Sequence, residues 1–261
     1  MNAVQPRMLR TLSAVAAGRW PRAARHLHTV CAIVLGLSVL SGAARSSAQT
    51  LPDLISISEL DSTIVLDIRY ASNDNFVGAR IDGYEDPVCL LSAPAASALV
   101  EANRILAGVG FRLGVFDCYR PQRGVDHFVR WSRYALDQKM KSSYYPNVDK
   151  KLLFELGYIA SRSGHSRAST ADVGMLASAD SSDDGPFEWV DMGTPFDYFD
   201  PLSHTDVPGL SPQQRYHRDV LRDAMRKAGF RNYAKEWWHY TLIDEPYRDQ
   251  YFDVVVKSPR D

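Results

Sequence analysis

Cysteine is scarce in this chain. Its 261 residues hold three, Cys31, Cys89 and Cys118, and none has a close cysteine partner. That spacing excludes a cysteine-built zinc cluster, which needs thiolates in close pairs. Long apolar runs are missing too. The run from Val30 to Leu40 falls short of the roughly 20 residues a membrane-spanning helix needs. There is no internal repeat and no long low-complexity segment. No Gly-x-Ser-x-Gly elbow occurs, and Ser163 lies too near His165 in sequence to be its usual triad partner, which argues against a serine hydrolase.

Acid is absent from residues 1–48, which carry Arg7, Arg10, Arg19, Arg22, Arg25 and Arg45. The Val30–Leu40 run follows, then Ser46-Ser47-Ala48 in the small-x-small pattern of a cleavage site. Residues 1–48 are therefore expected to be a secretory signal peptide, with a transit peptide or an uncleaved anchor as lesser readings. The mature part, 49–261, is expected to be one exported domain, periplasmic, with no stable membrane insertion. Without the leader's six arginines, the 30 basic residues fall to 24 against 31 acidic ones, a net charge of −7. That sign disfavours nucleic acid as a partner, because phosphate affinity comes from basic side chains. With Cys31 gone, Cys89 and Cys118 remain in an oxidising compartment, and either a disulfide or two buried thiols would suit them.

What is present reads as α+β. Apolar residues at 64, 66, 68 and 70 predict a half-buried strand over 62–70. Pro94 opens a helix to Ala107, ended by Gly108 and Gly110. A strand over 111–116 precedes Asp117-Cys118-Tyr119-Arg120-Pro121, and 122–139 has a helical pattern. Residues 73–86, 139–147, 178–185 and 191–206 read as loop or irregular, with a short helix over 150–154. A strand is expected over 171–175, a helix from Ser211-Pro212 to Gly229, and final strands over 237–243 and 251–256. The elements follow no strict βαβ rhythm, so the expected fold is a single α+β domain, a mostly antiparallel sheet flanked by helices.

Two stretches carry chemistry. Ser163-Gly164-His165-Ser166-Arg167-Ala168-Ser169-Thr170-Ala171-Asp172 sets an imidazole and a carboxylate seven residues apart. Glu236-Trp237-Trp238-His239-Tyr240 adds an imidazole with a carboxylate three residues before it. Together they supply His165, Asp172 and His239 as ligands and Glu236 as a spare base, the inventory of a catalytic zinc with one open position. Small residues favour His165 on a loop and Asp172 on a strand. Glu236 and His239 would face opposite ways on a regular strand, so a turn or bulge near Trp237 is needed for them to cooperate. Each pair alone has a plainer reading: a core histidine beside a surface aspartate, and a salt-bridged glutamate. Arg120, held extended by Pro121, is either a holder of an oxyanion or a carboxylate, or a surface ion pair.

These stretches, with Ile68-Arg69-Tyr70-Ala71-Ser72-Asn73-Asp74-Asn75-Phe76-Val77-Gly78, Tyr119-Arg120-Pro121 and Met192-Gly193-Thr194-Pro195-Phe196-Asp197, resemble the zinc peptidases that cut D,D-peptides. The nearer match is the VanX-like D-alanyl-D-alanine dipeptidase branch, over about residues 61–253. The resemblance implies a zinc site at the centre of the fold, bound by His165, Asp172 and His239. It makes Glu236 the general base and proton donor, and Arg120 the stabiliser of the tetrahedral intermediate. Tyr70 and Asp197 would grip a substrate ammonium, with Ser163 beside the substrate. The substrate implied is a small dipeptide. A D,D-carboxypeptidase acting on wall stem peptides and a non-catalytic, zinc-containing wall-binding module are the alternatives. Two positions depart from the family pattern, which usually has Gly where this chain has Ala168 and Ala where it has Thr170. If the glycine serves a positive φ, Ala168 carries a cost.

Overall fold

A computed structural model describes residues 52–179 and 186–259. The expected leader lies outside them, as does most of the acidic loop 178–185. The strands are β1 (Leu54–Ser56), β2 (Val65–Leu66), β3 (Leu90–Ser92), β4 (Phe111–Asp117), β5 (Thr170–Ser178), β6 (Phe187–Trp189), β7 (Phe230–Asn232) and β8 (His239–Leu242). The α-helices are α1 (Ile57–Leu60), α2 (Ala93–Ala107), α3 (Gln122–Arg133), α4 (Lys141–Tyr144), α5 (Leu153–Leu156) and α6 (Pro212–Lys227). The main sheet has the order β2-β4-β5-β8-β7, with β6 also on β5. Among the described strands of this sheet, β2 and β4 pair in parallel and the other pairs are antiparallel. β1 and β3 form a separate antiparallel pair. The α+β class and the mostly antiparallel sheet follow the sequence expectation.

The two long helices form for legible reasons. α2 has Pro94 in its first turn and buries Ala95, Leu99, Ala102 and Leu106 along one stripe. α6 starts on a capping box, Ser211 Oγ accepting from the Gln214 N–H while the Gln214 side chain accepts from the Ser211 N–H. It buries Leu221, Ala224 and Met225. The two helices pack on each other, α2 against β4 and α6 against β5 and β7.

Some elements differ from expectation. The strand over 62–70 shrinks to Val65–Leu66, and Arg69–Ala71 turn into a 3-10 helix. Ile64, Ile68 and Tyr70 are nonetheless all buried, so the alternation reported burial without a ladder. Residues 251–256 form no strand beyond one bridge, Val256 to Tyr84. Their backbone bonds go to loops: Phe252 N–H donates to Ser166 O at 2.8 Å and Val256 N–H to Gly83 O at 2.8 Å. α3 stops at Arg133, short of 139, and α4 lies inside the stretch read as polar loop. The short strands β1, β3, β6 and β7 were not foreseen, three residues being too few to show a period.

Cys89 and Cys118 stand with Cα atoms 5.2 Å apart and their sulfurs joined. The bridge ties the start of β3 to the exit of β4. Closing a loop of about 30 residues stabilises by roughly 3–4 kcal/mol through the unfolded chain. Thiol titration of the purified protein, denatured and unreduced, is expected to find no free thiol. Two free thiols would leave these cysteines as packed side chains only.

Candidate metal centre

The register of the sheet assembles the site. On β5, Asp172 lies opposite His239 of β8 on one side and Asp117 of β4 on the other. Residues directly opposite share a face, so the three form one row across three strands. β4 reaches that row through a bulge. Val115 pairs with Val173 and Asp117 with Asp172, leaving Phe116 as the extra residue. Without the bulge, Asp117 would fall out of the row, since strand side chains alternate.

His165 reaches the row from a 3-10 turn, Gly164–Arg167. Ser163 Oγ caps this turn by accepting the His165 N–H at 3.3 Å. Ala168 closes it in the left-handed region, φ 60°. Its methyl therefore sits in a conformation that costs about 1 kcal/mol relative to glycine. Thr170 is accommodated, its hydroxyl meeting that of Thr241 across the β5–β8 pair at 3.0 Å. Gly164 is required here, because a Cβ on it would lie 2.7 Å from Thr170 Oγ1.

The three expected ligands converge. His165 Nε2 stands 3.3 Å from His239 Nδ1 and 3.2 Å from Asp172 Oδ2. His239 Nδ1 stands 2.9 Å from Asp172 Oδ1. One ligand atom from each residue lies within 4.8 Å of the others. A tetrahedral zinc with bonds of about 2.0–2.1 Å sets its ligand atoms about 3.3 Å apart, so the donor set fits that ion in spacing and in kind. His165 is also in the right tautomer. Its Nδ1–H donates to the Cys118 carbonyl oxygen at 2.6 Å, leaving the Nε2 lone pair facing the centre.

Glu236 joins through the turn that the sequence required. Among residues 236–239, the His239 N–H donates to Glu236 O at 3.3 Å, folding the chain back before β8 begins. Glu236 Oε2 then lies 3.6 Å from His239 Nδ1. Burial pushes the Glu236 carboxyl up to about 7, with His239 opposing. Asp172 behaves differently. Burial would raise it, but the His165 and His239 imidazoles outweigh that and hold it well below the usual carboxylate range.

Arg120 is no surface ion pair. It is buried, with Nη2 at 2.8 Å from Asp117 Oδ2 and 3.5 Å from Asp172 Oδ2. Its guanidinium lies over the Tyr70 and Phe128 rings. Tyr70 donates its hydroxyl to Asp197 Oδ2 at 2.8 Å. Burial, then the nearby Asp172 carboxylate, push the Asp197 carboxyl well above its ordinary value. Asp197 takes φ 58°, a left-handed conformation that aspartate tolerates better than most residues. Its irregular segment is clamped by buried Arg218 of α6, which donates to the carbonyls of Met192, Leu202 and His204. Tyr70, Arg120, Ser163, His165, Asp172, Asp197, Glu236 and His239 all line one cavity of about 310 Å³. That size suits a small ligand.

Sequence reasoning missed Asp117. It is fully buried and takes the Tyr84 hydroxyl at 2.6 Å as well as Arg120. Its Oδ2 also stands 3.3 Å from His165 Nδ1. The available signal was a carboxylate ending an apolar strand three residues before Arg120.

Comparison with known proteins follows the same line. The family profile described as D-ala-D-ala dipeptidase, Peptidase M15, matches residues 52–257. The chain is 42% identical to the D-alanyl-D-alanine dipeptidase of Enterococcus faecalis, covering 73% of this chain and 91% of that one. It is 40% identical to the enzyme of that name from Streptomyces coelicolor, covering 78% and 98%. To the one from Escherichia coli it is 27% identical, covering 73% and 84%.

Proposed function

Since the chain belongs to the D-Ala-D-Ala dipeptidase family of M15 peptidases, we propose that it hydrolyses the D-alanyl-D-alanine dipeptide with one zinc ion. The observation that carries this reading is the convergence of His165, Asp172 and His239, with Glu236 3.6 Å from His239, inside one cavity. When bound, zinc supplies Lewis acidity and makes water acidic enough to ionise near pH 7.

The chain's own residues do the rest. Glu236 takes the proton of the attacking water, and its raised carboxyl is matched to both accepting and returning a proton near neutrality. It then protonates the leaving amine. Arg120, held by Asp117, donates to the oxygen on which negative charge develops. Asp197 and the Tyr70 hydroxyl receive the substrate ammonium, and Ser163 lies beside the substrate. Trp238, buried next to His239 and lining the cavity, helps exclude water.

Residues 1–48 are proposed to direct export, to the periplasm, before removal. The reading rests on their arginines, the Val30–Leu40 run and the Ser46-Ser47-Ala48 ending. The family match begins just beyond them, at residue 52. Among the described residues, no helix is long and apolar enough to cross a membrane.

Metal analysis tests the ligand set. The purified protein is expected to carry about one zinc per chain, and His165→Ala is expected to lose most of it. Chelation should abolish hydrolysis of D-Ala-D-Ala, and added zinc should restore it. Full zinc in the His165→Ala protein would mean that the ligands are wrongly assigned.

A further inference from the structure

A dipeptide has two charged ends, and the proposed function accounts for one. Asp197 and Tyr70 meet the ammonium. The carboxylate of the second residue needs a cation on the far side of the scissile bond. Besides the histidines, two cations line the cavity, Arg120 and Arg162. Arg120 already has a role at the scissile bond: its guanidinium is buried, held by Asp117 through Nε and Nη2, and serves the oxygen on which charge develops. Arg162 has no such role. It is exposed and lines the same cavity, and among the described residues no ion pair involves it.

Its neighbours hold it in place. Arg162 lies next to Ser163, the cap of the His165 turn. The preceding carbonyl, that of Ser161, accepts from Gln122 Nε2 at 3.1 Å, which pins the backbone to α3. The guanidinium rests over the Tyr251 ring, 5.1 Å from its centroid. Stacking of this kind orders a long side chain while leaving its N–H fork free.

We infer that Arg162 binds the terminal carboxylate of the substrate and so selects peptides that end one residue after the cut. The inference rests on the dipeptidase reading and extends it to the second end of the substrate. A guanidinium pairs with a carboxylate through two parallel N–H donors, which a carboxamide cannot accept equally well. Because Arg162 is exposed, added salt should weaken the pair.

The test compares D-Ala-D-Ala with D-Ala-D-alaninamide on the metal-loaded protein. Arg162→Ala is expected to raise KM for the acid about 10-fold or more, with kcat within about 2-fold, and to leave KM for the amide unchanged. Arg162→Lys should keep most of the preference, and Arg162→Glu should reverse it. Calorimetric binding of both compounds in a Glu236→Gln background gives the same comparison without turnover. Hydrolysis by the parent protein tests the dipeptidase reading separately. An equal loss on acid and amide, an unchanged KM for the acid, or equal binding of both compounds with and without Arg162 would overturn the assignment.

Discussion

Glu236→Gln is expected to lower turnover of D-Ala-D-Ala by about 1000-fold or more while the protein keeps its zinc. General acid–base catalysis by one positioned side chain typically contributes 10²–10⁴-fold, and here one carboxylate serves both the attack and the departure of the amine. Glutamine preserves the size of the side chain, and the backbone turn that presents residue 236 is held by main-chain bonds to Tyr233 and His239. The variant should therefore fold and bind metal as the parent does. Since Glu236 Oε2 is 3.6 Å from His239 Nδ1, a small change in metal affinity is expected and a loss of metal is not. Activity measured beside metal content separates the possibilities. Near-normal turnover would remove Glu236 from the chemistry. A parent protein that holds zinc and turns over no D-peptide would favour a wall-binding module, which has no need of this base.

The site was more legible in the sequence than the fold around it, for a physical reason. Candidate ligands and a candidate base are marked by residue type, and two short stretches held His165, Asp172, Glu236 and His239, which the structure brings together. The need for a turn near Trp237 followed from strand alternation alone, and the turn is there. The resemblance raised a positive φ at Ala168 only as a condition, and the structure has φ 60° there. Asp117 was hidden because its role depends on a bulge at Phe116, which depends on pairing with β5. Pairing is a long-range property that no local pattern carries. The same reason explains the errors over 62–70 and 251–256. Apolar alternation reports which side chains are buried, and both segments do bury theirs, Ile64, Ile68 and Tyr70 in one, Phe252 and Val256 in the other. Whether such a segment joins a ladder is decided by what lies beside it. For 251–256 the neighbours are the loops at Ser166 and Gly83.

Blocking the substrate's amino group is expected to lower kcat/KM at least about 100-fold, roughly 2.7 kcal/mol. Asp197 is buried and accepts a hydrogen bond from the Tyr70 hydroxyl. Burial and the Asp172 carboxylate disfavour its charge. An arriving ammonium offsets that cost by pairing with it. An N-acetyl group brings no charge, leaves Asp197 without its cation and adds bulk to a cavity that Tyr70, Phe76 and Phe199 also line. Asp197→Asn should shrink the ratio, chiefly by losing efficiency on the free dipeptide. The direct measurement is kcat/KM of the metal-loaded parent protein on D-Ala-D-Ala and on N-acetyl-D-Ala-D-Ala, side by side. A dipeptidase should cleave the free dipeptide at least about 100-fold more efficiently. Equal efficiency on the two would contradict the dipeptidase account and point to a D,D-carboxypeptidase that accepts wall stem peptides.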